Sequence, residues 1–351
     1  MKLPYFILLL NLFFIRANAQ NNPIEISGTI TGAYNSKMYI FFEDEYKRLD
    51  SISSPIVDGK FYFKLNRQAP VLARLHLDQR SFIQDVYVEG TKMEINCTNE
   101  MRIGKDTFNM FFVTSVKGSR TEELKRNFES WLDKLRKSGL EKKEFNEQYY
   151  QQLLIVVQNN PGSKASPYLI SKANDLGLEK LETLNKLVTP ALAGTYEVKQ
   201  TERLLTRHRN YQEHIVIGDA FKNFALLDTT NHTLNLEQYK GKYLYIVLWG
   251  SHCAPCIQEQ PNIKSLYSKY GNKNVEILGI STDRDYTKWI ATLNGKDLNW
   301  PQALDKNNAI VSYYGVEGVP CHILLDKDGK IFKWDFKLEE LETLLADNQL
   351  K

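Results

Sequence analysis

Cysteine is scarce in this sequence, with four in 351 residues, at positions 97, 253, 256 and 321. A domain that is held together by disulfides carries many more cysteines for its length. A disulfide-stapled scaffold is therefore excluded. Because three of the four cysteines fall in the last third of the chain, the pattern indicates cysteine chemistry in one domain.

The chain also lacks a large charge of either sign. Its 45 Lys and Arg against 42 Asp and Glu leave a formal net charge of +3. Nucleic acids and anionic membranes attract strongly basic proteins, so we expect neither as a partner. The length predicts two or three domains, and a hydrophobic content of 42% is sufficient for packed cores.

The longest apolar stretch of the sequence lies at the N-terminus. Lys2, the apolar stretch 5–15 and the Ala-Asn-Ala at 17–19 are typical of a secretory signal that is cleaved after residue 19. A retained N-terminal anchor is the alternative. No later segment approaches the roughly 18 apolar residues of a membrane span. We therefore expect an exported protein with a signal over 1–19 and no membrane span after its removal.

Two different patterns follow the signal. Residues 20–115 contain short β-branched and aromatic runs with turn signals between them, such as Asp58-Gly59, which favours a hairpin. This pattern predicts a β-sandwich-like domain or an open barrel. Residues 116–212 show apolar residues at helical spacing and predict a helical connector. Its polar part, 197–211, is predicted to be a linker or an exposed helix.

Residues 213–351 alternate strands with helices. Continuous apolar runs at 242–249, 275–281 and 321–325 predict buried strands. A β-α-β crossover followed by a hairpin and a final helix is the outline of a small redox domain. The predicted fold class is therefore multidomain α/β, with a β-rich domain, a helical connector and a C-terminal redox domain.

Cys253-Ala-Pro-Cys256 lies where a buried strand ends and a helix begins. Such a pair can be a redox couple, half of a metal site or a structural disulfide. The free N–H groups and the dipole at a helix N-terminus stabilise a thiolate on Cys253, which is the reactive form. The second thiol lies one turn away, where it can attack a mixed disulfide formed at Cys253. Pro255 suits the first turn of a helix.

A second motif precedes the strand at 321–325. Gly318-Val319-Pro320 contains an X-Pro bond that we predict to be cis. A cis-proline loop beside the cysteine pair can hydrogen-bond an extended substrate. It also occupies the space that a metal ion would need.

Several motifs occur in the order found in one known family. They resemble the thioredoxin superfamily, and within it the TlpA/ResA-like periplasmic thiol–disulfide oxidoreductases. The regions before residue 216 resemble the N-terminal extension of larger exported members. The motifs that carry the resemblance are Gly218-Asp219-Ala220-Phe221-Lys222-Asn223-Phe224, Trp249 before Cys-Ala-Pro-Cys, Ile280-Ser281-Thr282-Asp283, Trp300-Pro301, Gly318-Val319-Pro320 and Leu325-Asp326-Lys327-Asp328-Gly329.

The resemblance implies a thioredoxin-like fold, with a central sheet flanked by helices, and an enzyme that exchanges disulfides. It assigns Cys253 as the exposed nucleophile, Cys256 as the buried resolving thiol and Pro320 as the cis-proline that faces them. The redox group would be the Cys253–Cys256 disulfide, without another cofactor or a metal. The implied partners are protein thiols and disulfides, and a membrane thiol carrier that supplies electrons. The implied location is the periplasm or cell envelope, and the implied direction is reduction.

The resemblance also implies an acid close to the pair. Thioredoxin has this acid on the preceding strand, six residues before the first cysteine, where this chain has Val247. Glu259, three residues after Cys256, falls where the subfamily carries an acid. We therefore predict that Glu259 manages the proton of Cys256. The alternative is an ordinary solvated helix glutamate.

Two residues depart from the family pattern. His252 stands where Trp is usual, and it either tunes the first thiol or is a tolerated exposed substitution. Cys321 stands where Thr is usual, and we expect a small buried residue, with a third redox thiol or a metal ligand as alternatives. Trp249 and Val319 flank the pair and are further candidates for tuning it. Cys97 is predicted to be a buried free thiol.

A metal-binding or metallochaperone module is the main rival from another class. The cysteine pair, Cys321, His252 and His322 offer soft ligands for Cu(I) or Zn. Pro320 argues against this site. Neighbouring residues on a strand also point to opposite faces, so Cys321 and His322 cannot both join it.

Two further alternatives keep the fold. A peroxiredoxin-type thiol peroxidase needs Thr or Ser three residues before its cysteine and Pro four residues further back, and this chain has Gly250 and Ile246 there. A binding protein of the cell envelope without catalysis would use the long N-terminal region. The intact cysteine pair argues against this last alternative.

Overall fold

A computed structural model describes residues 23–350, apart from 33–35, 45–46, 68, 78–80, 103–107, 272–274, 297 and 347–349. The predicted signal over 1–19 lies outside these residues. The described chain forms two compact units. The first contains the residues up to 169 together with 188–197, and the second contains 170–187 and the residues from 198 onward.

The first unit contains a β-sandwich. One sheet has the strand order β4-β1-β7-β8 and the other has the order β3-β2-β5-β6. Apolar side chains of both sheets form one core, which confirms the predicted sandwich. The strands of this unit are β1 (Ile24–Thr31), β2 (Lys37–Asp44), β3 (Lys47–Pro55), β4 (Lys60–Leu65), β5 (Val71–His76), β6 (Gln84–Val88), β7 (Lys92–Arg102) and β8 (Phe108–Lys117).

The turn predicted at Asp58-Gly59 is present, but the strands on either side of it do not form the predicted hairpin. Both residues have positive φ, 49° and 71°, as the tightest hairpin turn requires. Val57 and Lys60 pair across the turn. The strands on either side, β3 and β4, continue into different sheets, so the turn carries the chain from one layer of the sandwich to the other.

Helices follow the sandwich, as predicted. The polar stretch 197–211, expected as a linker or exposed helix, lies in helix α5 (Tyr196–His214), and its Leu204 and Leu205 are buried. Helices α1 and α2 belong to the first unit, and α4 belongs to the second. The domain boundaries drawn from the sequence, 20–115, 116–212 and 213–351, stay predictions. The helices of this region are α1 (Arg120–Arg136), α2 (Lys142–Asn159), α3 (Ala165–Ser171), α4 (Leu178–Lys186) and α5 (Tyr196–His214).

The rest of the second unit is built on one sheet with the strand order β10-β9-β13-β12-β11-β14-β15. Strand β11 pairs parallel with β12 and antiparallel with β14. The elements are β9 (Leu226–Asp228), β10 (Thr233–Leu234), β11 (Tyr243–Trp249), α6 (Ala254–Tyr270), β12 (Val275–Ser281), α7 (Tyr286–Lys296), β13 (Gln302–Leu304), α8 (Ala309–Tyr314), β14 (Cys321–Leu325), β15 (Ile331–Trp334) and α9 (Leu338–Ala346).

Strand β11 is buried on both faces. Ile246 and Leu248 join a core that includes α8. Tyr245 and Val247 join a second core with α6 and α9 on the other face. This arrangement confirms the predicted central sheet flanked by helices, and it places the cysteine pair directly after an interior strand of the sheet. None of the described helices combines the length and apolar character that a membrane crossing requires.

Candidate active site

Cys253 caps helix α6. Its backbone N–H donates to the carbonyl oxygen of Gly250 at 3.0 Å, which closes the loop after β11. The backbone N–H of Cys256 donates to Cys253 Sγ at 3.2 Å, and Pro255 lies in the first turn. An N–H of the helix N-terminus is therefore aimed at the sulfur, in the position that stabilises a thiolate.

Cys253 and Cys256 form a disulfide with an S–S distance of 2.06 Å. Cys253 is 8% exposed and Cys256 is 3% exposed. The outer cysteine is thus the one expected to be the nucleophile. The prediction that this cysteine is exposed is wrong: Cys253 is buried, because Trp249 and Trp289 pack in the same cluster as the pair.

The Val319–Pro320 peptide bond is cis, as predicted from the sequence. The carbonyl oxygen of Val319 lies 3.3 Å from Cys253 Sγ. A disulfide sulfur has no proton to donate, so this contact becomes a hydrogen bond only when Cys253 is a thiol. Residues 319–320 therefore border the outer sulfur.

A buried carboxylate anchors the loop in front of the pair. Asp283 accepts from the Ser251 N–H at 3.0 Å, from Ser251 Oγ at 2.8 Å and from Ser281 Oγ at 2.7 Å. Burial raises the pKa of Asp283, but these hydrogen bonds outweigh burial and hold its pKa below the usual value. Sequence reasoning assigned no role to Ser251 or Asp283, although Asp283 stands in one of the family motifs.

His252 lies on the outer side of this anchor. Its ring is 75% exposed, and Nδ1 lies 3.5 Å from Asp283 Oδ1. The ring therefore lies at the edge of the site rather than in it. Both predictions for His252, a tuning residue or a tolerated substitution, stay open.

A groove with a volume of about 560 Å³ runs beside the pair. Its wall mixes apolar side chains with charges of both signs. The pair itself does not line it, but the residues that flank the pair do. The lining residues are Ser251, His252, Thr282, Asp283, Arg284, Asp285, Lys288, Asn308, Val311, Val316, Glu317, Gly318 and Val319.

Glu259 lies one turn beyond Cys256 on α6. Its side chain is 33% exposed, and Oε2 lies 3.4 Å from His322 Nε2. Burial raises the pKa of Glu259, and the negative charge of Glu339 raises it further. A raised pKa makes a carboxylate a better proton acceptor. The sequence identified Glu259 but not its contact with His322.

Trp249 and Cys321 lie inside the unit. Trp249 packs under the pair and donates from Nε1 to Gln302 Oε1 at 3.2 Å. Cys321 is 2% exposed and unpaired, and belongs to the core on the α8 face of the sheet. Burial raises the pKa of the Cys321 thiol, and the charge of Asp335 adds to the shift. These observations favour a packing role for Cys321.

The sandwich contains one of the two free cysteines among the described residues. Cys97 lies in its core and is unpaired, as predicted. Burial raises the pKa of Cys97 to about 12. This thiol is therefore protonated at neutral pH.

Metal ligands do not converge in the described part of the chain, where no three His, Cys, Asp or Glu residues form a group that could hold a metal ion. Cys321 and His322 lie on opposite faces of the sheet, as strand alternation predicts. His322 contacts Tyr245 and Phe336 on the α6 and α9 side.

Two regions of the chain match known protein families. Residues 217–333 match the family described as AhpC/TSA, and residues 24–124 match a domain of unknown function, DUF4369. A solved structure of a thiol-disulfide oxidoreductase from Bacteroides fragilis is 29% identical, with a TM-score of 0.35, and the match covers 37% of this chain and 99% of that one.

Curated relatives are more informative. The thiol-disulfide oxidoreductase ResA of Bacillus thuringiensis subsp. konkukian is 35% identical over 137 residues, which are 38% of this chain and 79% of the relative. ResA of Bacillus anthracis is 36% identical over 120 residues, which are 34% of this chain and 69% of that protein. With most of each relative aligned to the thioredoxin-like part, the chain belongs to the ResA/TlpA-like thiol-disulfide oxidoreductases.

Proposed function

We propose that this enzyme uses Cys253 and Cys256 to reduce disulfides in protein substrates or in a redox partner protein. The strongest support for this proposal is one hydrogen bond at the start of α6. The N–H of Cys256 points at Cys253 Sγ from the N-terminus of α6, so the sulfur that substrates would meet is also the one stabilised as a thiolate.

The two cysteines supply both electrons that the reaction needs. Cys253 thiolate attacks a substrate disulfide, forms a mixed disulfide and releases one substrate thiolate. Cys256 sulfur then attacks Cys253 Sγ, breaks the mixed disulfide and releases the second substrate sulfur. Two electrons pass to the substrate, and the Cys253–Cys256 disulfide remains. A thiol donor must then reduce that disulfide before the next cycle.

Glu259 supplies the proton acceptor in this scheme. Cys256 must lose its proton before it can attack, and it is nearly fully buried. Glu259 lies on the same face of α6, one turn away. Its side chain is partly exposed, so a proton taken from Cys256 can pass on to solvent.

The groove beside the pair offers space for a segment of a protein substrate. The groove has a volume of about 560 Å³, and residues 316–319 form one part of its wall. An extended peptide placed there would bring its cysteine to Cys253. Charges of both signs, from Arg284, Lys288 and Glu317, give the groove polar contacts without a strong preference for one sign.

The place of action follows from the predicted signal. We propose that the protein is exported to the periplasm or cell envelope, and that a membrane thiol carrier reduces the pair. No further cofactor is needed, because the disulfide carries the electrons. Fractionation of cells that produce the full chain, with N-terminal sequencing, tests this: we expect a mature protein that starts at Gln20 outside the cytoplasm. A product that keeps residues 1–19 in the cytoplasm would contradict export.

Trapping of the mixed disulfide tests the reaction. A Cys256→Ser variant of the full chain should accumulate a covalent complex with a disulfide-bonded protein substrate, and dithiothreitol should release it. A Cys253→Ser variant is the matched control and should form none, because the outer sulfur is missing. Complexes formed equally by the Cys253→Ser variant would overturn the assignment of the nucleophile.

A further inference from the structure

A buried histidine connects the central strand to the helix of the cysteine pair. His322 follows Cys321 on β14 and is paired in register with Val247 of β11. Val247 occupies the position where thioredoxin carries its buried acid. The imidazole ring lies parallel to Tyr245, with ring centroids 5.9 Å apart, and also contacts Phe336. The polar ring of His322 therefore lies on the strand next to Val247, an apolar residue of β11.

Both ring nitrogens of His322 have polar partners. Nδ1 lies 2.6 Å from the hydroxyl oxygen of Tyr245. Nε2 lies 3.4 Å from Glu259 Oε2, which is longer than a standard hydrogen bond. That oxygen is enclosed and accepts no well-formed hydrogen bond from the described residues. The ring therefore bridges β11 and α6, and its contact on α6 is Glu259, the acid one turn beyond Cys256.

The charges around the ring favour one tautomer. An ionised Glu259 requires the hydrogen on Nε2, which leaves Nδ1 to accept from the Tyr245 hydroxyl. Asp335, whose N–H donates to the His322 carbonyl oxygen at 2.7 Å, and Glu339 of α9 are the other charged groups that act on the ring. Burial lowers the pKa of His322, although Asp335 and Glu339 oppose this shift. The ring is therefore neutral near pH 7.

We infer that His322 is a positioning residue that acts through Glu259. Its Nε2–H stabilises the carboxylate and so sets how readily Glu259 takes the proton of Cys256. When Cys256 sulfur attacks Cys253 Sγ, the proton moves from Cys256 to Glu259 and the substrate sulfur leaves. His322 keeps its own proton throughout. The inference rests on the proposed function, because only a working pair needs this proton transfer.

The pKa of Glu259 is the direct readout. Carboxyl ¹³C resonances of the full chain, with Glu259 assigned from a Glu259→Gln variant, give this pKa in the reduced protein. His322→Phe should raise the pKa of Glu259 by about half a pH unit, because the N–H that favours the charged form is lost. His322→Gln, which keeps an N–H donor, should restore part of the shift, and also serves if the Phe variant does not fold.

A second readout connects the residue to the reaction. The rate at which the reduced protein reduces a disulfide peptide should follow a pH profile whose midpoint moves upward in His322→Phe. The same substitution in a Glu259→Gln background should move nothing further. An unchanged Glu259 pKa in both His322 variants would overturn the inference, as would an equal shift in the Glu259→Gln background. A wild-type protein that never reduces the peptide would instead refute the proposed function, whatever the pKa of Glu259.

Discussion

Cys253 and Cys321 are both buried, yet their surroundings differ in kind. Cys253 lies at the start of α6, in contact with the Cys256 N–H and the Val319 carbonyl. Cys321 follows the cis-proline directly but is enclosed in an apolar core, where burial raises the pKa of its thiol. Burial alone therefore does not decide thiol chemistry. The polar groups that face the sulfur decide it.

The largest expected difference is in activity. Cys253→Ala should lower the rate of disulfide reduction on the order of 10³-fold or more, since the nucleophile is lost. Cys321→Ala should change that rate less than about twofold, because its thiol is buried in the core on the α8 face and is unpaired. Steady-state reduction of a protein disulfide by the full chain measures both. A comparable loss in the Cys321→Ala variant would remove the distinction between the two thiols.

A smaller effect is expected at Glu259. Glu259→Gln should slow attack by Cys256 on the order of 10²-fold. In the wild type the rate should rise with pH through the pKa of Glu259, which burial and Glu339 raise, because only the carboxylate accepts the proton. The variant should lack this rise in rapid-mixing experiments. Glu237→Gln, an exposed carboxylate paired with Lys240, is the control. An identical pH profile in the Glu259→Gln variant would contradict the role of this acid.

Substitutions of Cys321 should change the stability of the protein, although they should leave its activity almost unchanged. We expect Cys321→Ala to cost about 1 kcal/mol of unfolding free energy and Cys321→Ser about 2 kcal/mol, because a hydroxyl is then buried among apolar groups. At Cys97, in the sandwich core, Ala should likewise cost less unfolding free energy than Ser. Denaturant unfolding measures the stability, and a redox titration should find the potential of the pair unchanged. A shifted potential in either Cys321 variant would give this residue a redox role.

The smallest expected effect concerns His322, on the other face of β14, and the pH dependence of stability. The pKa of His322 in the folded protein lies below its ordinary value of 6.5. As the pH falls below that value, the unfolded chain takes up a proton more readily than the folded one, so stability is lost on the acid side. Melting temperatures should therefore decline more steeply below about pH 6.5 in the wild type than in His322→Gln. The exposed His232 provides the control, since His232→Gln should leave the decline in place. Parallel curves for the wild type and His322→Gln would contradict this.

Much of the redox unit could be predicted from the sequence. The long apolar runs at β11, β12 and β14, the cysteines at the start of α6 and the cis bond before Pro320 all carry strong local patterns. Strands β9 and β13 have only three residues each, which is too short for a periodic signal. They form because neighbouring strands supply their partners.

The site was predicted less completely, because its missing parts depend on tertiary contacts. His322 was considered only as a metal ligand, and nothing in the neighbouring sequence indicates that it meets Tyr245 and Glu259. Ser251 and Asp283 are 32 residues apart in sequence, and are hydrogen-bonded because β11 and β12 are adjacent. Spacing in the sequence cannot show such pairs.

A redox titration of the full chain shows which cysteines work as a couple. The protein is equilibrated at a series of thiol–disulfide potentials, free thiols are alkylated, and each cysteine is read by mass spectrometry. We expect Cys253 and Cys256 to convert together in one two-electron step, at a potential below about −200 mV for a reductant, while Cys97 and Cys321 stay thiols throughout. A pair that does not convert, or a step that includes Cys321, would contradict this expectation.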